Sequence, residues 1–229
     1  MTDTPLALVT GASRGLGTHI ARGLGASHRL LLGGRPSPAL DALVAEFDGA
    51  AAFPADLTDH AAVRMLTAPI DRLDVLVHNA GVGRIGSIED TPAADWREMF
   101  EVNLLAVVEL TRALLPALRA AGGHVVLLNS GAGKRANPGW SAYAASKFGL
   151  RGFADALRAE EAGHGVRVSS VFPSRTATPM QERVHDFEGR DYRASDWMSA
   201  STLAQAIVGV IDLPKDTVAT DLTLRTHQP

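Results

Sequence analysis

The sequence predicts a doubly wound α/β fold, a three-layer α/β/α arrangement in which one parallel sheet lies between two layers of helices. Two observations carry this prediction. Short apolar runs alternate with helix-length segments from end to end, and no Pro/Gly-rich linker divides residues 1–229. The runs are also almost uninterrupted in apolar character, as strands buried on both faces must be. Right-handed βαβ crossovers then place helices on both faces of the sheet of a single domain.

Six buried strands and the helices between them follow from these patterns. The predicted strands cover 6–9, 30–32, 51–53, 75–77, 125–128 and 166–171. Predicted crossover helices cover 14–26, 37–48, 93–121 and 141–162, and a helix near 200–212 and a strand near 217–225 follow. Residues 174–199 have no clear period, which is typical of a mobile substrate flap over a pocket.

Composition excludes several classes of function. The chain has no cysteine, which excludes a disulfide scaffold, an iron–sulfur cluster, a thiolate zinc site and a cysteine nucleophile. A net charge of −3 without a basic block gives no footprint for nucleic acid or anionic lipid. No apolar run approaches the ~20 residues that a membrane span needs. Residues 1–5 lack a basic leader segment, so we expect a cytoplasmic protein with a small-molecule substrate.

A glycine-rich turn follows the first predicted strand and opens the first predicted helix. Its glycines are spaced Gly-x3-Gly-x-Gly. Glycines here allow a diphosphate to approach the backbone, and the helix N-terminus offers free N–H groups and a positive dipole end. A plain tight turn is the alternative. The predicted cofactor-binding residues of this turn are Gly11, Ser13, Arg14, Gly15, Leu16 and Gly17.

The end of the second strand indicates which dinucleotide binds. It reads Leu-Leu-Gly-Gly-Arg up to Arg35, with no carboxylate for a ribose 2′-hydroxyl. Arg14 and Arg35 together suit a 2′-phosphate, which favours NADPH over NADH. Two solvated arginines are the alternative. After the third strand, Asp56 and Leu57 are expected near the adenine, and Asp59 suits a helix N-cap.

Tyr143 and Lys147 are four residues apart on a predicted helix and therefore share one face. A phenol with its ordinary pKa of about 10 is a poor acid at neutral pH unless a cation is near. Ser130 stands at the carboxyl end of the fifth strand, where such sheets bind ligands, and its hydroxyl could hold a substrate oxygen. A simple strand-ending turn is the alternative for Ser130.

Together these residues resemble the short-chain dehydrogenase/reductase family, in its compact, single-domain Rossmann-fold branch, over residues 5–180. The glycine turn, the segment 79–81, Asn103, Ser130 and Tyr143-x3-Lys147 stand in the family's order and spacing. The resemblance implies that Tyr143 is the general acid/base and that Lys147 lowers its pKa and holds the nicotinamide ribose. It also implies that Ser130 polarises the substrate oxygen and that Asn103 holds a water in a proton relay.

The resemblance extends to segments that flank the cofactor. Asn79, Ala80 and Gly81 match one of them, although His78 stands where the family usually has asparagine. The stretch after the sixth strand matches another, with Ser174 in the place of a glycine; its expected cofactor-binding residues are Pro173, Thr176 and Thr178. Relatives pair through the helices at 95–121 and 141–162, so the resemblance implies a homodimer or homotetramer.

The resulting hypothesis is an NADPH-dependent oxidoreductase that moves a hydride between nicotinamide and a carbonyl or alcohol, without a metal. Ser130, Trp140 and Tyr143 are the expected substrate-binding residues. The flap aromatics are further candidates for pocket walls, with core packing as their alternative: Phe187, Tyr192 and Trp197. Two other functions stay open. One is an epimerase or dehydratase that uses the same Tyr/Lys pair, and the other is a regulatory protein that binds NADP(H) without turnover.

Overall fold

Nine strands are present in the computed structural model, which describes residues 4–227. They are β1 (Leu6–Val9), β2 (Arg29–Gly34), β3 (Ala51–Pro54), β4 (Val75–His78), β5 (His124–Leu128), β6 (Arg167–Pro173), β7 (Thr176–Ala177), β8 (Met198–Ser199) and β9 (Asp221–Leu224). Seven of them form one parallel sheet in the order β3-β2-β1-β4-β5-β6-β9, and β7 pairs with β8 separately. The strand order reverses between β1 and β4.

Eight α-helices connect these strands across the described residues. They are α1 (Leu16–Leu24), α2 (Pro38–Val44), α3 (His60–Thr67), α4 (Ala93–Phe100), α5 (Ala106–Ala121), α6 (Ser141–Glu161), α7 (Pro179–Glu188) and α8 (Ala200–Ile211). None of the helices within residues 4–227 has the length and apolar character to cross a bilayer.

Successive side chains of a strand point to opposite faces of the sheet and pack into two separate hydrophobic cores. In β1, Ala7 and Val9 pack with buried residues of α1 and α8, whereas Leu8 packs with α5 and α6 on the other face. Val126 and Val125 of β5 divide between the two cores in the same way. Strands therefore need apolar residues at every position, and the predicted doubly wound α/β fold in a single domain is confirmed.

The predicted helix over 93–121 is interrupted at the site of a candidate catalytic residue. Residues Glu101–Leu105 form a π-helical turn between α4 and α5, and Asn103 lies in its middle. π-Helical turns insert one residue into the helical repeat and occur mostly at functional positions. Helix α3 was not among the predicted helices, but its N-cap is Asp59, whose side chain accepts hydrogen bonds from the amides of Ala61 and Ala62.

Residues 174–199 contain more regular structure than their missing period suggests. Thr178 caps the N-terminus of α7, Pro179 occupies its first turn, and Gly189 ends it in the left-handed conformation. Strands β7 and β8 pair at the two ends of this segment. The flap is thus a helix-bearing lid held at its base by a two-stranded sheet, which corrects the expectation of a segment without period.

Two buried histidines pair with hydroxyl groups in the core. His78 Nε2 lies 2.8 Å from Thr111 Oγ1, and His124 Nε2 lies 2.8 Å from Ser169 Oγ. Burial lowers the pKa of each imidazole to about 3, and Arg167 contributes to the shift of His124. His78 therefore stands as a neutral structural residue that joins β4 to α5 at the position where the family usually has asparagine.

We expect the free energy of unfolding to fall as the pH drops below about 6.5, the pKa of histidine in an unfolded chain. The unfolded imidazoles bind protons there, while the folded ones stay neutral until a pH of about 3. Each then costs about 2 kcal/mol at pH 5. Denaturant titrations near pH 7.5 and pH 5 measure the free energy of unfolding at each pH. Between these two pH values, His78→Asn should lose correspondingly less of this free energy than the wild type. His19→Asn, a change at a partly exposed position, should keep the wild-type loss, and an unchanged loss in His78→Asn would contradict the prediction.

Candidate active site

The predicted glycine turn joins β1 to α1, and two of its glycines have a conformation that requires glycine. Gly11 and Gly15 have φ angles of 63° and 60°. Gly17 is required for packing instead, because a Cβ there would lie 2.3 Å from the Gly11 carbonyl oxygen and 2.6 Å from Asn79 Nδ2. A Cβ on Gly15 would meet nothing within 4 Å. The backbone at Gly15 therefore faces open space.

Asn79 fastens this turn to the end of β4. Its Nδ2 donates to the carbonyl oxygens of Thr10 at 2.9 Å and Gly11 at 3.0 Å. The Thr10 hydroxyl in turn accepts from the amides of Asn79 and Ala80 and donates to the Val77 carbonyl oxygen. The side chain of Asn79 is thus occupied in shaping the turn.

A cavity of about 1030 Å³ opens beside this turn at the carboxyl ends of the strands. Doubly wound sheets bind their ligands at this edge, where the strand order reverses. Most of the predicted site residues lie on its wall: Gly11, Ser13, Arg14, Gly15, Leu16, Arg35, Asp56, Leu57, Asn79, Ala80, Gly81, Trp140, Lys147, Pro173, Thr176 and Thr178. Four predicted residues are not on the wall: Gly17, Asn103, Ser130 and Tyr143.

Charge on the cavity wall near the glycine turn is mostly positive. Arg14 and Arg35 line the wall, and neither takes part in an ion pair with any residue between 4 and 227. Asp56 accepts hydrogen bonds from the amide and hydroxyl of Thr58 at 3.0 and 2.8 Å. These bonds, with a smaller contribution from Arg35, lower the pKa of the Asp56 carboxyl. The arginines are therefore free to meet an anion.

Lys147 and Tyr143 lie one turn apart near the start of α6, as predicted. Lys147 Nζ donates to the carbonyl oxygen of Leu128, the last residue of β5, at 2.9 Å. It lies 5.9 Å from the centroid of the Tyr143 ring. Burial lowers the pKa of Lys147 to about 8, so the ammonium keeps its proton at neutral pH. A buried cation is thereby held between the end of β5 and the phenol.

Burial is also the main influence on Tyr143. It raises the pKa of the phenol above its ordinary value, and the hydroxyl of Ser130 opposes the shift. Ser130 follows β5, where its Oγ accepts a hydrogen bond from the amide of Ala132 at 3.1 Å. The Ser130 hydroxyl therefore lies near the phenol at the end of β5. The acidifying effect of Lys147 that the resemblance implies stays a prediction.

The side chain of Asn103 is fully buried and satisfied by protein groups. Its Oδ1 accepts from the Val82 amide, and its Nδ2 donates to the Val82 carbonyl oxygen and to Ser146 Oγ. Ser146 Oγ donates to the carbonyl oxygen of Tyr143. Asn103 thus positions both the loop after β4 and the first turn of α6. A role in a water relay stays a prediction.

The lid and the loop after β4 cover Tyr143, the candidate acid/base. A Cβ on Gly83 would lie 3.3 Å from Met180 Sδ of α7 and 3.5 Å from Tyr143 Cε2. The Trp140 ring meets the Tyr143 ring edge-on, with the centroids 5.9 Å apart. Tyr143 is only 9% exposed as a result. Gly83 and Trp140 therefore border the Tyr143 ring, and Met180 lies beside Gly83.

Tyr192 and Trp197, two aromatic residues predicted to line the pocket, pack away from the cavity. Tyr192 and Trp197 each place their ring 5.3 Å from the His185 ring and do not line the cavity. Phe187 packs near Gly139 and is 55% exposed. The core-packing alternative therefore fits Tyr192 and Trp197, and only Trp140 among the predicted aromatics lies on the cavity wall.

The chain path after β6 accommodates serine where the family has glycine. No residue other than glycine has a positive φ within residues 4–227, so Ser174 is unstrained. Its amide donates to the Leu224 carbonyl oxygen and its hydroxyl accepts from the Thr226 amide. The hydroxyl of Thr178 caps α7. Ser174 and Thr178 thus fix where the lid begins.

Several wall residues were not predicted from the sequence, among them Val82, Glu98, Met180, Arg183 and Leu203. Those on the lid follow Thr178-Pro179, a helix-start signal, and precede Gly189, a helix-end signal. These two signals could have identified α7 and its cavity-facing side chains. Over residues 4–227, no cluster of three or more His, Asp or Glu side chains is arranged to hold a metal ion.

Comparisons with known proteins agree with this geometry. A family model described as short chain dehydrogenase matches residues 5–189. Nodulation protein G of a Rhizobium species is 38% identical over 187 residues, which cover 79% of this chain and 76% of that protein.

Solved structures of similar proteins match nearly the whole chain. An alcohol dehydrogenase from the archaeon Thermococcus sibiricus, complexed with 5-hydroxy-NADP, has a TM-score of 0.87 at 26% identity, covering 99% of both chains. A metagenomic short-chain oxidoreductase in complex with NADP has a TM-score of 0.83 at 31% identity, again over 99% of both chains. The chain belongs to the short-chain dehydrogenase/reductase family of oxidoreductases.

Proposed function

We propose that this protein is an NADP(H)-dependent oxidoreductase that interconverts a carbonyl compound and its alcohol, with Tyr143 as the general acid/base. The observation that carries the proposal is the placement of Tyr143, Lys147 and Ser130 near one another at the end of β5, beside a large cavity that begins at a glycine turn. An acid, a cation and a hydroxyl donor converge where ligands of this fold bind.

The cavity fits a dinucleotide in shape and in charge. The open backbone at Gly15 leaves space for a diphosphate, and the crowding at Gly17 brings α1 close to the turn. Arg14 and Arg35 supply two free guanidiniums for a 2′-phosphate. Solved relatives in complex with NADP support the same cofactor. These observations favour NADPH over NADH.

The hydrogen bonding of Lys147 indicates where the nicotinamide ribose would bind. One of its three ammonium N–H groups donates to the Leu128 carbonyl oxygen, and no other hydrogen bond joins the ammonium to residues 4–227. Leaving a buried ammonium with one acceptor is costly, so bound hydroxyl groups would satisfy the remaining donors. Two ribose hydroxyls have the right chemistry for this task.

In the proposed reaction NADPH supplies the hydride to the carbonyl carbon. Tyr143 donates its phenolic proton to the carbonyl oxygen as the alcohol forms, and the hydroxyl of Ser130 donates a hydrogen bond to the same oxygen. Lys147 stabilises the phenolate left behind by its positive charge. In the reverse direction the phenolate accepts the alcohol proton. Asn103 holds the loop after β4 and the start of α6 in register for these steps.

The substrate end of the cavity favours apolar or ring-bearing carbonyl compounds. Trp140, Met180 and Val82 are its apolar wall residues, and Trp140 meets the ring of Tyr143. Glu98 also lies on the wall, but Arg84 pairs with it at 2.7 Å. An aromatic or aliphatic group therefore meets matching surface, with Ser130 and Tyr143 at its oxygen.

Tyr143→Phe should abolish turnover and leave NADPH affinity nearly unchanged, because only the transferred proton is lost. Activity follows from NADPH absorbance with a panel of aldehydes and ketones, and affinity from cofactor fluorescence. Tyr192→Phe is the matched control and should keep full activity, because Tyr192 packs on His185 away from the cavity. Wild-type activity in Tyr143→Phe would remove this residue from its role. NADPH binding without turnover of any panel member by the wild type would favour a regulatory protein instead.

Arg35→Asp should reduce or reverse the preference for NADPH, because a carboxylate repels a 2′-phosphate and accepts a hydrogen bond from a 2′-hydroxyl. We expect kcat/KM for NADPH to fall roughly 100-fold relative to NADH, about 3 kcal/mol. Arg29→Asp makes the same charge change at the opposite end of β2 and should leave the ratio unaltered. Equal ratios for the two variants would show that Arg35 does not contact the phosphate.

We propose that two copies of the chain pair through α5 and α6. Leu105, beside the first residue of α5, and Phe148 on α6 are 46% and 42% exposed, and they lie on the two helical segments through which the resemblance implies that relatives pair. Phe148→Asp should therefore shift the protein toward monomers in light scattering. Met65→Asp changes an even more exposed apolar residue on α3 and should not do so. A wild-type monomer would rule out this pairing.

A further inference from the structure

The lid helix α7 turns one basic side chain toward the cavity. Met180, Arg183 and Val184 lie on the cavity wall at a spacing of three and four residues, and Pro179 and Gln181 flank them there in the first turn. The acidic residues Glu182 and Asp186 are exposed and not on the wall. Charge on α7 is therefore divided, with the cation facing the cavity and these carboxylates facing away.

Arg183 has no carboxylate partner among residues 4–227. Its neighbours differ, because Arg175 forms a two-bonded pair with Glu188 and Arg190 approaches the same carboxylate. The two carboxylates on the cavity wall are also engaged, Asp56 by Thr58 and Glu98 by Arg84. Arg183 thus brings an unneutralised charge to a wall that already carries free arginines.

The position of α7 indicates which part of a dinucleotide Arg183 meets. The base of the lid packs against α8, and α8 packs along α1. Leu203 of α8 and Leu16 at the start of α1 lie on the same wall as Arg183. Arg35 stands farther along the sheet, at the end of β2 beyond β1. Arg183 therefore approaches from the side of the α1 N-terminus, where a diphosphate would bind.

We propose that Arg183 is a cofactor-binding residue of the lid and that it binds the diphosphate of NADP(H). This inference rests on the proposed function. A guanidinium presents a planar set of N–H donors that matches phosphate oxygens, and an exposed arginine loses little solvation in reaching them. The contact joins α7 to the glycine turn across the cavity, so cofactor binding stabilises the closed lid.

The test compares Arg183→Gln with Arg193→Gln. Arg193 is exposed on the same flap, has no ion pair within residues 4–227 and is not on the cavity wall, so both variants lose the same charge. Fluorescence titration measures Kd for NADPH and for NADH. We expect Arg183→Gln to weaken both roughly tenfold with their ratio unchanged, as loss of one charged hydrogen bond predicts. Arg193→Gln should bind like the wild type.

A second measurement follows the lid itself. Chymotrypsin cleaves after aromatic residues, and Phe187 is an exposed aromatic residue on α7. Saturating NADP+ should slow cleavage of the wild type and of Arg193→Gln, and it should protect Arg183→Gln much less. Equal affinity and equal protection in the two variants would overturn the inference.

Other outcomes also overturn the assignment in distinguishable ways. Weaker binding of NADPH alone would move Arg183 to the 2′-phosphate. Unchanged cofactor affinity with a raised KM for carboxylate-bearing substrates would make it a substrate residue. If the wild type bound neither NADPH nor NADH, the proposed function itself would fail, whatever the variants did.

Discussion

The side-chain amide of Asn79 holds the glycine turn after β1 against the end of β4, and the cavity is built around this junction. Its two hydrogen bonds to the carbonyls of Thr10 and Gly11 cross the point where the strand order reverses. Helix α1 leaves this point on one face of the sheet, while α5 covers the other. The crevice between them exists because Gly17 lets α1 pack directly against the same amide.

Burial acts on Tyr143 and Lys147, the proposed catalytic pair, in a direction that suits proton donation. It favours the neutral form of a phenol and of an amine alike, so the pKa of Tyr143 rises while that of Lys147 falls to about 8. At neutral pH the phenol keeps its proton and the lysine keeps its charge. The site therefore holds a protonated phenol near a cation, which in the proposed reaction stabilises the phenolate once the proton has left. The proposed reduction of a carbonyl would use this state directly.

Sequence patterns predict the sheet well because parallel strands here are buried on both faces. Runs such as Val75–Val77 and Val125–Leu128 need apolar residues throughout, which is a strong local signal. The spacing of Tyr143 and Lys147 fixes their relation in the same way, since one helical turn separates them. By contrast, Asn103 in the π-helical turn is held by hydrogen bonds to Val82 and Ser146. Both of these residues are far from Asn103 in the sequence. No local pattern encodes such contacts.

The lid was harder to predict because its helix has little apolar surface of its own. The buried residues of α7 are Gln181, Val184 and His185, two of them polar, so its apolar helical period is weak. What holds the lid is long-range. Thr226 lies just after β9. Its amide donates a hydrogen bond to the Ser174 hydroxyl, and its own hydroxyl accepts one from the Met198 amide, so Thr226 joins both ends of the flap.

The serine that replaces the family's glycine therefore has a structural use. Without a side-chain oxygen at position 174, the Thr226 amide would lose its acceptor. The tie between β9 and the start of the lid would then rest on the bond from the Ser174 amide to Leu224 and the long 3.4 Å bond from the Thr226 hydroxyl to the Arg175 carbonyl oxygen. Because the same segment continues into Thr176 and Thr178 on the cavity wall, the last strand of the sheet fixes the base from which α7 reaches across the cavity. The edge of the sheet at β9 therefore sets the position of the lid.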